Sequence, residues 1–187
     1  MIDHSGSPGG TLFSAPGLTI DAAPVDHWLQ AGSRAHPSQL KAFLATALGV
    51  EPNERVNTVT RVPGGPEILA VGPGRWLLRY PPGRTLDSPA PQSSVTDISD
   101  SMLGFRVSGD GARELLGTGC PLELGDWDDT RPGCAHSLFH HIPLLIHRLQ
   151  NNTLDLLVPR SYLAEFQHAL LHSARALAAL QSNTENG

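Results

Sequence analysis

Apolar positions alternate with polar ones along much of the chain, and a few segments switch to a three-and-four spacing. "LTIDAAP" (18–24) and "DHWLQAG" (26–32) read as two short strands. From Pro37 the period changes. Leu40, Phe43, Leu44, Ala47 and Leu48 fall on one helical face, Pro37 suits the first turn, and Gly49 is placed to end the helix in the left-handed conformation. "NTVTRV" (57–62), "EILAV" (67–71) and "RWLLRY" (75–80) are further strands, and residues 81–94 form a polar, proline-rich loop. "SVTDISD" (94–100) fits a strand end through Val95 and Ile98. "LGFRVSG" (103–109) alternates Leu103, Phe105 and Val107 as a half-buried strand. "DGARELLGTG" (110–119) is a short helix with Asp110 as N-cap. "AHSLFHH" (135–141) and "PLLIHRL" (143–149) are strands, with Pro143 expected to break between them. Asn151-Asn152 makes "LIHRLQNNTLDLLV" a hairpin. A long helix from Ser161 closes the chain, with Leu163, Phe166, Leu170, Ala174 and Leu177 buried and Glu165, His168, His172 and Arg175 opposite.

Two stretches run in the same order. "WLQAGSRAHPSQLKAFLATALGVEP" (28–52) and "GFRVSGDGARELLGTGCPLEL" (104–124) each pass from strand through Gly to an amphipathic helix, then to Gly and Pro. This suggests a duplicated strand–strand–helix unit, and interleaved strands and helices place the fold in the α+β class. We expect a flexible N-terminal arm over 1–16, where Gly, Ser and Pro dominate. A single α+β domain over 17–180 and a flexible tail over 181–187 complete the division.

Composition narrows the function classes. The 187 residues carry a net charge of -5 with no block of like charges, which argues against a nucleic-acid face. No apolar run reaches membrane-span length, and "MIDHSGSPGG" lacks the basic and apolar regions of a signal peptide, so no membrane association and a cytoplasmic location are expected. The two cysteines, Cys120 and Cys134, are then expected as free thiols.

Three stretches invite chemistry. "VGPGRWLLRYPP" (71–82) has the glycines of a phosphate loop, but a strand follows them where such a loop needs a helix N-terminus, and the third glycine is missing. A turn into a core strand, anchored by Trp76, accounts for it. "CAHSLFHH" offers Cys134, His136, His140 and His141 as zinc-type ligands, with Cys120 upstream. The spacing matches no paired-ligand pattern, and on a strand Cys134, His136 and His140 would share one face. "GDWDDT" (125–130) and Asp97, Asp100, Asp126, Asp128 and Asp129 supply carboxylates, yet the stretch reads more plainly as a solvated turn with Trp127 anchoring it. No G-x-S-x-G is present. Arg160 could meet an anion at the start of the last helix, or form an ordinary ion pair. No catalytic, cofactor-binding or metal-binding residue is assigned from these patterns.

Taken in order, "VGPGRWLLRYP" (71–81), "VTDISDSMLGFRVSGDGARELLGTGCPLEL" (95–124), "RPGCAHSLFHHIPLLIHRL" (131–149) and "LDLLVPRSYLAEFQHALLHSA" (154–174) resemble the gamma subunit of heterotetrameric sarcosine oxidase. The resemblance runs from about residue 18 to 175. It implies a compact fold like that of the folate-binding aminomethyltransferase of the glycine cleavage system. It also implies a non-catalytic structural role in a complex that demethylates sarcosine to glycine, giving formaldehyde or 5,10-methylenetetrahydrofolate and hydrogen peroxide. The partners implied are alpha, beta and delta subunits. FAD, FMN, NAD and zinc are expected in those subunits and none in this chain. The transferases engage folate through a carboxylate; Asp97 is the nearest thought here, but its "TDISD" context reads as structural, so the role is not carried over. The alternatives are a freestanding tetrahydrofolate-binding or one-carbon transferase-like domain, the gamma-type subunit of a related N-methyl amine demethylase, or a metal-binding module on Cys134, His136 and His140.

Overall fold

The computed structural model describes residues 10–24, 26–86, 95–123, 132–150 and 152–185. The elements run β1 (Thr11–Ala15), β2 (Leu18–Ala22), β3 (His27–Gly32), α1 (Pro37–Leu48), β4 (Thr58–Arg61), β5 (Glu67–Gly72) and β6 (Arg75–Tyr80). They continue β7 (Val95–Asp97), β8 (Met102–Ser108), α2 (Gly111–Gly117), β9 (Gly133–Phe139), β10 (Ile142–Arg148), β11 (Thr153–Pro159) and α3 (Leu163–Glu185). The α+β class therefore holds.

The chain divides into two compact units. The first comprises Met1–Pro24, Leu103–Arg131 and His136–Gly187, with strand order β1-β2-β8-β11-β10-β9. The second comprises Val25–Met102 and Pro132–Ala135, with strand order β4-β5-β6-β3-β7. The head of β9 belongs to this second unit, where Gly133 pairs with Thr58.

The topology shows a repeat, but its unit is a strand, a helix and a three-strand meander rather than the strand–strand–helix expected. In the second unit β3 enters α1, and β4, β5 and β6 follow as a meander whose last strand returns beside β3. In the first unit β8 enters α2, and β9, β10 and β11 follow, with β11 returning beside β8. The same closing contact recurs. A hairpin-tip residue with positive φ, Gly74 (62°) or Asn152 (53°), presents its carbonyl to the amide just past the strand that leads into the helix. Ser33 N donates to Gly74 O at 3.2 Å, and Gly109 N donates to Asn152 O at 3.2 Å.

Each unit buries its helix on its sheet. In the first, Leu18, Ile20, Phe105, Val107, Ile146, Leu156 and Val158 meet Leu115 and Leu116 of α2 and Phe166, Leu170 and Ala174 of α3. Phe166 lies 5.6 Å from both Phe105 and Phe139, ring centre to ring centre. In the second, Leu40 and Leu44 of α1 meet Leu29, Ala31, Ile68, Ala70, Trp76, Leu78 and Tyr80. The expected stripes on α1 and α3 are the ones buried, and Gly49 does close α1 with φ 68°.

Four expectations are corrected. Of the arm foreseen over 1–16, residues 1–9 lie outside the described residues, and Thr11–Ala15 form a strand paired with β2 from Thr11↔Asp21 to Ala15↔Leu18. Gly17, with φ 69°, makes the tight turn that a Gly- and Pro-rich reading takes for looseness. The tail expected from 181 is helical through Glu185, as α3 simply continues. Pro143 does not break the strand. The turn falls at His140, whose φ is 54°, and Pro143 lies exposed in β10 ahead of Leu145, where pairing with β11 begins, so its missing N–H costs no bond in that ladder. Asp110 precedes α2 but its side chain does not cap it; Asp110 Oδ1 instead accepts from Asn152 Nδ2 at 2.7 Å.

Trp76 is 1% exposed, and its indole N–H donates to Asn53 O at 2.8 Å. We expect Trp76→Ala to cost about 3–5 kcal/mol, read from the denaturant midpoint. Gly74→Ala should cost at least about 1–2 kcal/mol through its positive φ alone. The added Cβ would also meet Pro37 Cβ at 2.9 Å and Ser33 O at 3.0 Å. A wild-type midpoint for either variant would contradict this account.

Candidate functional site

The glycine stretch is settled by its geometry. Gly72 to Gly74 form the β5–β6 turn, and Arg75 begins β6 directly. The amide row that a phosphate would need at a helix start is not there.

The trio Cys134, His136 and His140 does not converge. Cys134 is buried where β9 meets β4, with its sulfur 3.6 Å from Thr58 O and 3.7 Å from Ala70 O. Burial pushes its thiol up to about 12, so it stays protonated rather than becoming the thiolate a metal needs. His136 is exposed two residues on, and His140 has left the strand. His141 pairs with Glu165 at 2.8 Å. Among the described residues, no three His, Cys, Asp or Glu side chains are placed to hold a metal ion together. Cys120 and Cys134 are free thiols, as expected. "GDWDDT", with Trp127, Asp126, Asp128 and Asp129, lies outside the described residues. Arg160 sits exposed in the 3-10 turn that leads into α3.

Two ionic clusters were not foreseen. In the first unit Arg106 on β8 clamps Asp155 on β11 through two bonds, Nε to Oδ1 at 2.7 Å and Nη2 to Oδ2 at 2.8 Å. His147 stands opposite Asp155 in the β10–β11 register, and both are buried. In the second unit Arg79 binds Asp26 at 2.6 Å and Glu67 at 3.4 Å, with its guanidinium 5.7 Å from the Trp28 ring. The partners are 49 and 53 residues apart for the shorter contacts, so no local spacing betrays them.

Asp97 ends β7, which pairs with β3. Its Oδ1 accepts from Ser99 N at 2.9 Å and Ser99 Oγ at 2.7 Å, and its Oδ2 lies 3.1 Å from His27 Nε2. The Ser99 hydroxyl first, then the Ser99 N–H, with His27 adding, holds the Asp97 carboxyl below the usual carboxylate range. A carboxyl lowered by folding contributes stability above its unfolded value, and that contribution is lost as pH falls through the folded one. Ser99 also receives Trp28 N at 2.9 Å.

A cleft of about 460 Å³ opens in the second unit. The end of α1 (Ala47, Leu48), the β4–β5 turn (Val62–Pro66), Tyr80 and residues 83–86 line it. Arg84 crosses one wall, where its guanidinium donates to Gly64 O.

The arrangement defines a two-unit α+β protein in which one strand–helix–meander plan occurs twice. Its fold is that of a chain in the heterotetrameric sarcosine oxidase of Corynebacterium sp. U-96, solved in complex with pyrrole 2-carboxylate. The match has a TM-score of 0.72 and 20% sequence identity, and covers 90% of this chain and 89% of that one. In sequence, the chain is 38% identical over 78 residues to a tRNA(Ile)-lysidine synthase of Thermobifida fusca, 37% of this chain. That match spans about a quarter (24%) of the synthase. No family model matches the chain. Among the described residues no helix is long and apolar enough to cross a membrane.

Removing Arg106 would take two charge-assisted hydrogen bonds from a carboxylate whose side chain is only 2% exposed. Arg106→Leu should therefore cost about 3–5 kcal/mol in urea or guanidinium unfolding, and a loss under 1 kcal/mol would show that the clamp is unimportant. For the thiol, native protein at pH 8 should leave Cys134 unlabelled by a disulfide reagent until denaturant is added. Rapid native labelling of Cys134, located by mass spectrometry, would contradict its burial and its raised thiol.

Proposed function

We propose that this chain is the gamma-type structural subunit of a sarcosine oxidase-like complex. The observation that carries the reading is the fold match to a chain of such a complex, nearly end to end in both proteins. At 20% identity the match transfers the fold alone, and the ordered motifs from "VGPGRWLLRYP" to "LDLLVPRSYLAEF" supply the rest of the case. On this reading the fold is the folate-binding-transferase type. Partner alpha, beta and delta subunits hold FAD, FMN, NAD and zinc, and they carry out the oxidative demethylation of sarcosine to glycine in the cytoplasm.

The tying-down of this chain's polar groups supports a structural role. Asp155 is clamped by Arg106, Asp97 by Ser99 and His27, and Cys134 lies against two backbone carbonyls. Leu138 is 42% exposed on β9 between the exposed His136 and His140, an apolar centre with a polar rim. That patch is where a partner subunit docks.

A second reading rests on the cleft, whose size lies within the range of small-molecule sites. It makes the chain a freestanding tetrahydrofolate-binding domain.

Co-expression with candidate alpha, beta and delta subunits should give one assembly that produces hydrogen peroxide from sarcosine. Leu138→Asp should lower recovery of this chain in the assembly about tenfold while leaving its own unfolding midpoint unchanged. A chain that elutes alone beside every candidate partner overturns the structural reading. Saturable calorimetric heat with tetrahydrofolate on the isolated chain supports the second one.

A further inference from the structure

Both ring nitrogens of His27 face oxygen acceptors. Its Nδ1 lies 2.9 Å from the backbone carbonyl of Arg84, and its Nε2 lies 3.1 Å from Asp97 Oδ2. A carbonyl oxygen only accepts. Asp97 is held ionised by the two Ser99 donors, so it too only accepts. Each ring nitrogen must then carry a hydrogen, and a neutral imidazole has only one to offer. Both bonds exist together only in the imidazolium.

The two contacts of His27 join three segments of the second unit. His27 begins β3, Asp97 ends β7, and Arg84 belongs to the stretch that lines the cleft. Arg84 N in turn donates to Pro81 O at 3.2 Å, which closes the turn carrying that stretch. The other groups facing His27 do not compete for its protons. Tyr80, its cross-strand neighbour on β6, lies with its ring centre 6.3 Å away. Asp26 and Arg79 bind one another, and the Arg84 guanidinium is directed to Gly64 O.

We propose that His27 is a proton-operated latch that holds residues 81–86 against the rest of the second unit and thereby sets the shape of the cleft. The proton facing a neutral carbonyl is held less firmly than the one facing a carboxylate, so Nδ1 releases first as pH rises. A lone pair then faces the Arg84 carbonyl, and the latch opens. The segment is held at acid pH and freed at alkaline pH. The inference does not depend on the proposed subunit role, because every group in it lies within this chain.

Ring-nitrogen NMR and amide exchange on the full chain test it. At pH 5 both His27 nitrogens should be protonated. The protection factor of the Arg84 amide, corrected for intrinsic exchange, should fall about tenfold or more between pH 5 and pH 9, which is the loss of one hydrogen bond to a charged group. Asp97→Asn separates this mechanism from a general pH effect. An asparagine amide donates to Nε2 and leaves Nδ1–H on Arg84 O, so the neutral ring satisfies both bonds, and protection at Arg84 should become independent of pH. His27→Gln cannot bridge both acceptors and should show the low protection at both pH values. A neutral His27 ring at pH 5 overturns the proposal. So does unchanged pH dependence in Asp97→Asn, or His27→Gln protection equal to wild type at pH 5.

Discussion

The carbonyl of a hairpin-tip residue, bonded to the amide just past a strand, is the contact on which each unit depends. In the second unit Gly74 O takes Ser33 N, and in the first Asn152 O takes Gly109 N. The bond joins the last hairpin of the meander to the strand that began it, so β6 lies beside β3 and β11 beside β8. It also places the start of the helix, since Ser33 and Gly109 stand four and two residues before α1 and α2. A tip residue can present its carbonyl this way because its φ is positive, which favours Gly and, less strongly, Asn. The second unit requires glycine, because Pro37 and Ser33 crowd the place a Cβ would take. The first unit tolerates asparagine and uses its side chain, which donates to Asp110. That donation also explains why Asp110 leaves the α2 amides uncapped.

Local pattern therefore carried most of the elements and little of their pairing. The α1 and α3 stripes, the strand "RWLLRY" and the Asn hairpin are short-range features, and period and turn chemistry expose them directly. The duplication was legible because both copies keep the strand–Gly–helix order. β1 was not, since an edge strand flanked by Gly10 and Pro16 gains its order from β2 and leaves only a faint alternation behind. The Cys134–His136–His140 reading applied strand alternation correctly up to Phe139 and failed at His140, where the chain turns. One face of β9 also changes character along its length, buried at Cys134 and open at His136.

The charged groups were the least legible part. β11 is buried from Leu154 to Val158 on both faces, so Asp155 sits in a run that periodicity marks as apolar. Its partner Arg106 lies on a strand that reads as half exposed. The His27–Asp97 contact spans 70 residues and depends on β7 pairing with β3, which a three-residue strand does not announce. Such contacts exist only once the topology is fixed.

This ordering bears on what the chain does. At 20% identity the likeness to the sarcosine oxidase chain is one of fold, with most side chains different. Asp97 is bound by Ser99 and His27 and Asp155 by Arg106, and the His27 and Arg106 links join strands distant in sequence. Each of these links closes its own unit. Leu138, by contrast, is an apolar residue of β9 left 42% exposed, with exposed His136 and His140 two residues to either side. The proposed subunit reading rests first on the fold match, and this exposed position is the contact that reading assigns to a partner.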